Sequence, residues 1–326
     1  MEAFPVLMRD AVVIKRTIEI SREPAHLAVR YDQLLLQRGG VTVSSIPCED
    51  LGMVVVDHPQ TTYTHAALAA LMESDAVVVI CGRDHLPLGL LIPLADHTQV
   101  VWRIQDQVAV SKPVQKQLWK QIVQAKILAQ ARNLAEDSPP RRKLEVLAKE
   151  VKSGDTANHE AQAARIYWSA WLVNVDDVPH IPTERFRRDM DGEGINSLLN
   201  YGYTIVRAAV ARALVSAGLH PALGLHHSNR GNPFCLADDL MEPLRPLVDA
   251  RVRELHWAGQ SELDQPTKAR LLELLTQEVA TEGETGPLMV SLHRFIASLV
   301  KCYGGTCHRL EIPVSCNSAD IAACGS

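Results

Sequence analysis

The chain has 326 residues, a formal net charge of −5 and a hydrophobic fraction of 47%. This length allows one large or two ordinary domains, and the composition is that of a folded protein, which argues against a chain disordered throughout. The apolar runs are much shorter than a bilayer span, and the N-terminal residues lack a basic leader before an apolar block. We therefore expect no transmembrane helix, no signal peptide and a cytoplasmic protein.

The first part of the chain has the pattern of a small β domain. Residues 11–20, 25–37 and 40–46 alternate or cluster β-branched side chains, which predicts strands. Residues 52–58 and 76–82 are continuously apolar, which is typical of strands buried on both faces. Between these two segments, an Ala-rich and Leu-rich stretch follows Thr64, a residue type that caps helices. One short helix is therefore predicted there.

Helical periodicity begins after a proline-bearing stretch and continues to the end of the chain. Apolar residues recur three and four positions apart, and Gly218 is a predicted stop for the longest helix. The predicted helices span residues 112–134, 141–151, 160–172, 195–218, 267–280 and 287–303, with a short one within the segment 236–255.

The predicted fold class is α+β with more than one domain. We expect a small, β-sandwich-like N-terminal domain with one short helix at 1–93 and a linker at 94–112. A larger all-α domain follows at 113–326.

Cysteine and charge patterns give only weak functional signals. Four of the seven cysteines crowd the last 25 residues with His308, but no CxxC pair occurs. Free thiols in a loose tail are therefore favoured over a zinc site. The acidic net charge argues against nucleic acid as a ligand, although basic clusters such as Arg141 to Lys143 leave it possible through local charge.

Three separated positions carry the chemistry of a candidate metal site. Glu160 opens a predicted helix, His226 and His227 follow a turn with Pro and Gly, and Glu242 lies in a later acidic motif. Two carboxylates and an imidazole suit Mg²⁺ or Mn²⁺. Each residue also has an ordinary explanation, since Glu complements a helix N-terminus and most histidines are not ligands.

The acidic motif LADDLMEPLRP allows two interpretations. Asp239 and Glu242 are three residues apart, which is the spacing of a capping box. The same spacing places both carboxylates on one face of a turn, where they could bind a divalent cation. Pro243 disfavours a helical conformation at Glu242. The pattern alone leaves both interpretations open.

Several stretches, taken in order, resemble the CRISPR-associated endonuclease and integrase family of spacer acquisition, most of all its branch in type II systems. One stretch, SIPCEDLGMVVVDH and the residues after it, covers 45–94 in the β domain. The others in the helical domain are LWKQIVQAKILAQA (118–131), HEAQAARIYW (159–168), the segment 196–227 ending in GLHPALGLHH, and FCLADDLMEPLRPLVD (234–249).

The resemblance implies a site and a reaction. The metal ligands of the family correspond to Glu160, His227 and Glu242, with Asp239 in a secondary role and Mg²⁺ or Mn²⁺ as cofactor. The implied reaction is spacer insertion, in which the 3′-hydroxyl of a prespacer attacks a phosphodiester at a CRISPR repeat.

The resemblance also implies partners. These are double-stranded DNA, a second copy of the chain bound through the β domain, and a small ferredoxin-like acquisition protein that bridges two dimers. No membrane is involved.

Two other functions remain open. A metal-dependent nuclease or phosphohydrolase without integrase activity would use the same ligands with water as its nucleophile. A non-enzymatic DNA-binding scaffold would use Glu160 and Glu242 only as helix-end groups.

Overall fold

The computed structural model describes residues 15–94, 97–173, 186–189 and 192–316. Its N-terminal part contains the predicted strands, although residues 11–14 of the first one lie outside the described residues. The strands of this part are β1 (Arg16–Ile20), β2 (His26–Arg30), β3 (Gln33–Arg38), β4 (Val41–Pro47), β5 (Leu51–Val56), β6 (Thr62–Tyr63), β7 (Val77–Cys81) and β8 (Pro87–Leu91).

These strands form two sheets, in the orders β1-β5-β7-β8 and β4-β3-β2-β6. In the first sheet, β5 is parallel to both of its neighbours. The sheets bury a shared core that includes Ile20 and Val54 from the first and Leu27 and Leu34 from the second. The predicted small β domain is confirmed.

Among the described residues of this domain, the predicted α-helix is α1 (His65–Glu73), which begins as predicted. The Thr64 hydroxyl accepts a hydrogen bond from the backbone N–H of Ala67 at 3.1 Å, which satisfies a free donor of the first turn. Ala67 and Leu71 then face the core between the sheets.

The rest of the described chain is mainly helical, as predicted. The segment predicted as a linker contains the ten-residue helix α2, and the boundaries at residues 93 and 113 stay predictions. The helices are α2 (Val100–Ala109), α3 (Lys112–Arg132), α4 (Pro139–Glu150), α5 (His159–Ala170), α6 (Ile195–Ser216), α7 (Cys235–Met241), α8 (Arg245–Trp257), α9 (Gln265–Leu272) and α10 (Leu288–Tyr303).

The longest helix, α6, is buried along most of its length and contacts α7, α8, α9 and α10. It ends just before Gly218, which takes a left-handed conformation with φ of 74°. The predicted stop is confirmed, because glycine adopts this conformation without a steric penalty.

Strand β5 joins the two parts of the molecule. Its side chains alternate, so that Val54 faces the core of the β domain while Met53 and Val55 pack into the helical core. Just after β5, the buried carboxylate of Asp57 accepts a hydrogen bond from Lys268 Nζ of α9 at 2.6 Å. The β domain is thus fixed to the helices by apolar packing and by a buried ion pair.

A short antiparallel sheet departs from the all-α expectation for the C-terminal domain. The helix predicted at 267–280 ends early, and its last residues form β9 (Glu278–Thr281), which pairs with β10 (Glu284–Pro287) and β11 (Val314–Ser315). Glu282 and Gly283 connect β9 to β10 with positive φ at both positions. A two-residue turn of this kind favours a hairpin.

Two sequence predictions concern features of the whole chain. None of the helices in the described residues is long and apolar enough to cross a membrane. Free thiols are found at Cys48, Cys81, Cys235, Cys302 and Cys307, whereas Cys324 lies outside the described ranges.

Candidate functional site

Glu160 lies in the first turn of α5, where the sequence predicts it. Asp155 satisfies this helix end, because its carboxylate accepts from the backbone N–H groups of His159 (2.9 Å) and Glu160 (3.0 Å). The Glu160 side chain turns to α3 instead, where its Oε1 accepts from Lys126 Nζ at 2.6 Å. Complementing the helix dipole is therefore not its main interaction.

Glu242 is buried directly after α7, in a single 3₁₀ turn. Its Oε1 accepts from Arg245 Nε at 2.9 Å, and its Oε2 accepts from Lys126 Nζ. Burial opposes ionisation, yet Arg245 and Lys126 lower the pKa of Glu242 to about 2. The backbone of Glu242 is helical, so the expectation that Pro243 disfavours this conformation is wrong. Pro243 lies at the start of a new turn, where its missing N–H costs no hydrogen bond.

Asp239 does not cap a helix, so the capping-box interpretation is wrong. It lies inside α7 and is fully buried. Its carboxylate accepts from the backbone N–H groups of Leu225 (2.7 Å) and His226 (2.9 Å) and contacts Nδ1 of the His227 ring at 2.5 Å. Asp239 therefore holds the loop after α6 against α7.

The adjacent histidines have different environments. The ring of His226 stacks on the buried Trp119, with centroids 4.3 Å apart and planes 1° from parallel. The ring of His227 stands at 88° to the same indole and is fixed by Asp239. That hydrogen bond raises the pKa of His227 against the effect of burial, and the two predicted glutamate ligands add to the shift. With Nδ1 engaged, Nε2 of His227 is the nitrogen suited to a ligand.

Gly224 makes this loop possible. A Cβ atom at this position would lie 2.2 Å from the carbonyl oxygen of His227 and 3.0 Å from Oδ2 of Asp239. No side chain fits into that space, so the close approach of the loop to Asp239 requires glycine.

Sequence reasoning missed Lys126, which contacts both predicted glutamate ligands. It lies on the buried face of α3, between Val123 and Ile127 in the apolar stripe. Burial alone lowers the pKa of Lys126, but Glu242 and Glu160 outweigh it and raise the pKa above its usual value. A lysine at an apolar position of an amphipathic helix was the signal that could have identified it.

The candidate site opens into a cleft of about 520 Å³ that contains His227 and Glu242. Three guanidinium groups line it, those of Arg188, Arg207 and Arg245. Arg245 and Arg188 lie over the Tyr203 ring, at 4.7 Å and 5.5 Å from its centroid. Guanidinium groups bind phosphate oxygens through paired hydrogen bonds, so the cleft is chemically suited to a phosphodiester.

Within the described residues, no group of three His, Cys, Asp or Glu side chains is arranged to hold a metal ion as it stands. Lys126 lies between Glu160 and Glu242 and uses one oxygen of each. The donor set nevertheless fits a hard divalent cation, because it combines two carboxylates with an imidazole fixed by a buried carboxylate. The ammonium group of Lys126 shows that a cation is accommodated between these carboxylates.

The family model described as "CRISPR associated protein Cas1" matches residues 18–279 of the chain. A CRISPR-associated endonuclease Cas1 from Neisseria meningitidis serogroup C is 37% identical over 276 residues, which cover 83% of this chain and 87% of the relative. A second relative of that name, from Pyrobaculum aerophilum, is 28% identical over 83% of this chain and 86% of its own length.

Solved structures share the fold at low sequence identity. A casposase bound to integration product is 19% identical, with a TM-score of 0.72 over 95% of this chain and 98% of its own. A Cas1 protein from Thermotoga maritima is 16% identical, with a TM-score of 0.69 over 89% and 97% of the two chains. A chain of a Cas6-RT-Cas1–Cas2 complex, 19% identical, has a TM-score of 0.71 over 92% of this chain and 36% of its own.

Proposed function

This chain belongs to the Cas1 family of CRISPR-associated proteins, and we propose that it is a metal-dependent DNA endonuclease and integrase that inserts spacers into a CRISPR array. The observation that carries the proposal is that His227 and Glu242 line one arginine-lined cleft, while Lys126 joins Glu242 to Glu160. The Neisseria relative is named an endonuclease, and the casposase is titled as bound to an integration product, which supports both activities.

Glu160, His227 and Glu242 would hold one Mg²⁺ or Mn²⁺ ion, with Asp239 in support. When bound, such an ion polarises the scissile phosphate and stabilises charge on the attacking and leaving oxygens. Asp239 accepts a hydrogen bond from the N–H at Nδ1 of His227 and so leaves Nε2 as the ligating nitrogen. Glu242 stays ionised across the physiological pH range because its pKa is about 2.

The arginine side chains of the cleft would bind the non-bridging phosphate oxygens of DNA and align the phosphodiester. The 3′-hydroxyl of the prespacer forms the new bond to phosphorus, and the 3′-oxygen of the cut repeat strand leaves. If water attacks instead, the same residues catalyse hydrolysis. Integrase and nuclease activity thus use one site.

The partners are also part of the proposal. A homodimer formed through the β domain would bind double-stranded DNA, and a small ferredoxin-like protein would bridge two dimers. One structural relative is titled as a complex of Cas1 with Cas2, which supports a partner of this kind. The net charge of −5 is compatible with DNA binding, because the arginine side chains of the cleft would act on a phosphate at short range, whereas distant charges are screened. Membership of the type II branch stays a prediction.

Strand transfer tests the proposal directly. A labelled double-stranded fragment is incubated with a repeat-containing plasmid, Mg²⁺ or Mn²⁺, and the bridging partner. We expect joined product with the wild-type protein and none with Glu160→Ala, His227→Ala or Glu242→Ala. His226→Ala is the matched control and keeps joining, since its ring packs on Trp119.

The outcomes separate the candidate functions. Metal-dependent cleavage without joined product favours the nuclease or phosphohydrolase. Full joining by any of the three alanine variants refutes the site assignment. If the wild-type protein neither cleaves nor joins DNA, and the alanine variants differ from it only in stability, the DNA-binding scaffold is favoured.

A further inference from the structure

The two predicted glutamate ligands are already neutralised by cations of the chain itself. Both oxygens of Glu242 accept hydrogen bonds, Oε1 from Arg245 and Oε2 from Lys126. Oε1 of Glu160 accepts from the same Lys126 ammonium at 2.6 Å. A divalent ion that binds Glu242 must therefore take an oxygen that one of these two side chains now contacts.

Arg245 is held in place by the Tyr203 ring as well as by Glu242. Its guanidinium lies 4.7 Å from the centroid of the Tyr203 ring, and the Tyr203 hydroxyl donates to the buried carboxylate of Asp249. A guanidinium between a carboxylate and an aromatic face has a fixed orientation.

In the part of the chain that the structure describes, no aromatic ring supports the ammonium group of Lys126 in this way. Its Nζ donates to Glu160 and Glu242, which are the two carboxylates that a metal would use. The ammonium group is a point charge on a flexible four-carbon stem, so it can shift without rearranging a planar group. Of the two cationic side chains on Glu242, Lys126 is therefore the one better able to move when a divalent ion binds.

We propose that Lys126 is a positioning residue that acts as a built-in counter-cation, competing with the divalent metal for Glu160 and Glu242. Without metal, its ammonium holds the two carboxylates together and offsets their repulsion. When metal binds, Lys126 gives up at least one of them, so it weakens the metal affinity and sets the metal concentration at which the site fills. The inference rests on the proposed metal site and adds a regulator of its occupancy.

Mn²⁺ titration of the metal-free protein tests the proposal without an activity assay. Binding is measured from the electron paramagnetic resonance signal of free Mn²⁺, and thermal melting is measured in parallel. We expect Lys126→Met to bind Mn²⁺ about tenfold more tightly, because a positive charge next to the ion is removed. The same variant should melt at a lower temperature without metal. Its melting temperature should rise more on addition of Mn²⁺ than that of the wild type.

Further variants keep the test decisive. Lys126→Gln retains a hydrogen-bond donor, which protects folding, and should also bind Mn²⁺ more tightly. Lys126→Arg keeps the charge and should show no tightening. Lys116→Met removes an exposed lysine of the same helix and should change nothing.

The possible results distinguish this inference from the proposed function. If Mn²⁺ binding is unchanged or weaker in Lys126→Met or Lys126→Gln, while Glu160→Gln still weakens it, Lys126 is not a competitor. If the wild-type protein shows no Mn²⁺ binding that depends on Glu160, the proposed metal site itself is refuted.

Discussion

Replacing Asp239 by Asn should disable His227 without removing it. The Asp239 carboxylate is fully buried and accepts from three backbone N–H groups. Those of Leu225 and His226 donate to Oδ2 at 2.7 Å and 2.9 Å, and that of His227 lies 3.3 Å from Oδ1, which also contacts the His227 ring. An Asn oxygen can replace only one of these oxygens. If it keeps the donors Leu225 and His226, its NH₂ group faces both Nδ1 and the backbone N–H of His227.

This change forces the other tautomer on His227. Nδ1 must then accept a hydrogen bond, and the proton moves to Nε2, the nitrogen that would ligate metal. Loss of a supporting carboxylate behind a metal-bound histidine typically costs about 10-fold to 100-fold in metal affinity or activity. Hydrogen bonds to a charged group contribute about 1.5–3 kcal/mol, so we expect a loss of stability of about 2 kcal/mol.

Urea unfolding and strand transfer measure the two effects separately. Asp238→Asn is the matched control, since the neighbouring carboxylate is partly exposed and bonds to the Asn232 side chain at 2.6 Å. We expect that control to change stability by less than about 1 kcal/mol. Should Asp239→Asn match the wild type in stability and in joining, the role given to Asp239 is wrong.

Two further predictions concern the carboxyl group of Glu19 and the backbone at Gly224. Burial raises the pKa of Glu19 to about 7, so the folded chain binds this proton more tightly than the unfolded chain, and the resulting stability is present below pH 4.5 and lost as pH rises through about 7. The loss amounts to about 3 kcal/mol, and Glu19→Gln should remove this part of the pH dependence in urea unfolding between pH 5 and 8; an unchanged profile would contradict it. Gly224→Ala should lower the melting temperature and abolish joining, because the added Cβ collides with the carbonyl oxygen of His227, whereas Gly89→Ala, where nothing lies within 4 Å of an added Cβ, should be neutral. Equal melting temperatures for the two glycine variants would show that the loop can move away.

Local patterns predicted much of the fold. The continuously apolar segment at β5 indicated burial on both faces, and its side chains do divide between the two cores. Thr64 and Gly218 marked helix ends correctly, because caps and stops depend on neighbouring residues alone. The hairpin of β9 and β10 was missed because helical periodicity was extended to residue 280, which lies inside β9, and the Glu282–Gly283 turn was not recognised.

The site was harder to predict because its contacts are long-range. The three-residue spacing of Asp239 and Glu242 cannot reveal which backbone donors each carboxylate meets, and Leu225 and His226, which donate to Asp239, lie in a loop 14 and 13 residues earlier. Lys126 contacts carboxylates 34 and 116 residues away, so only tertiary structure places it in the site. The choice of His227 over His226 came from family resemblance, and it stays a prediction that the different environments of the two rings support.

The central claim is that Glu160, His227 and Glu242 bind one divalent ion in the arginine-lined cleft. Crystals of the wild-type protein soaked in Mn²⁺ and measured at the manganese absorption edge test it most directly. We expect one anomalous difference peak in contact with both carboxylates and with Nε2 of His227. A peak bound through His226, or no peak in contact with Glu160 and Glu242, would contradict it.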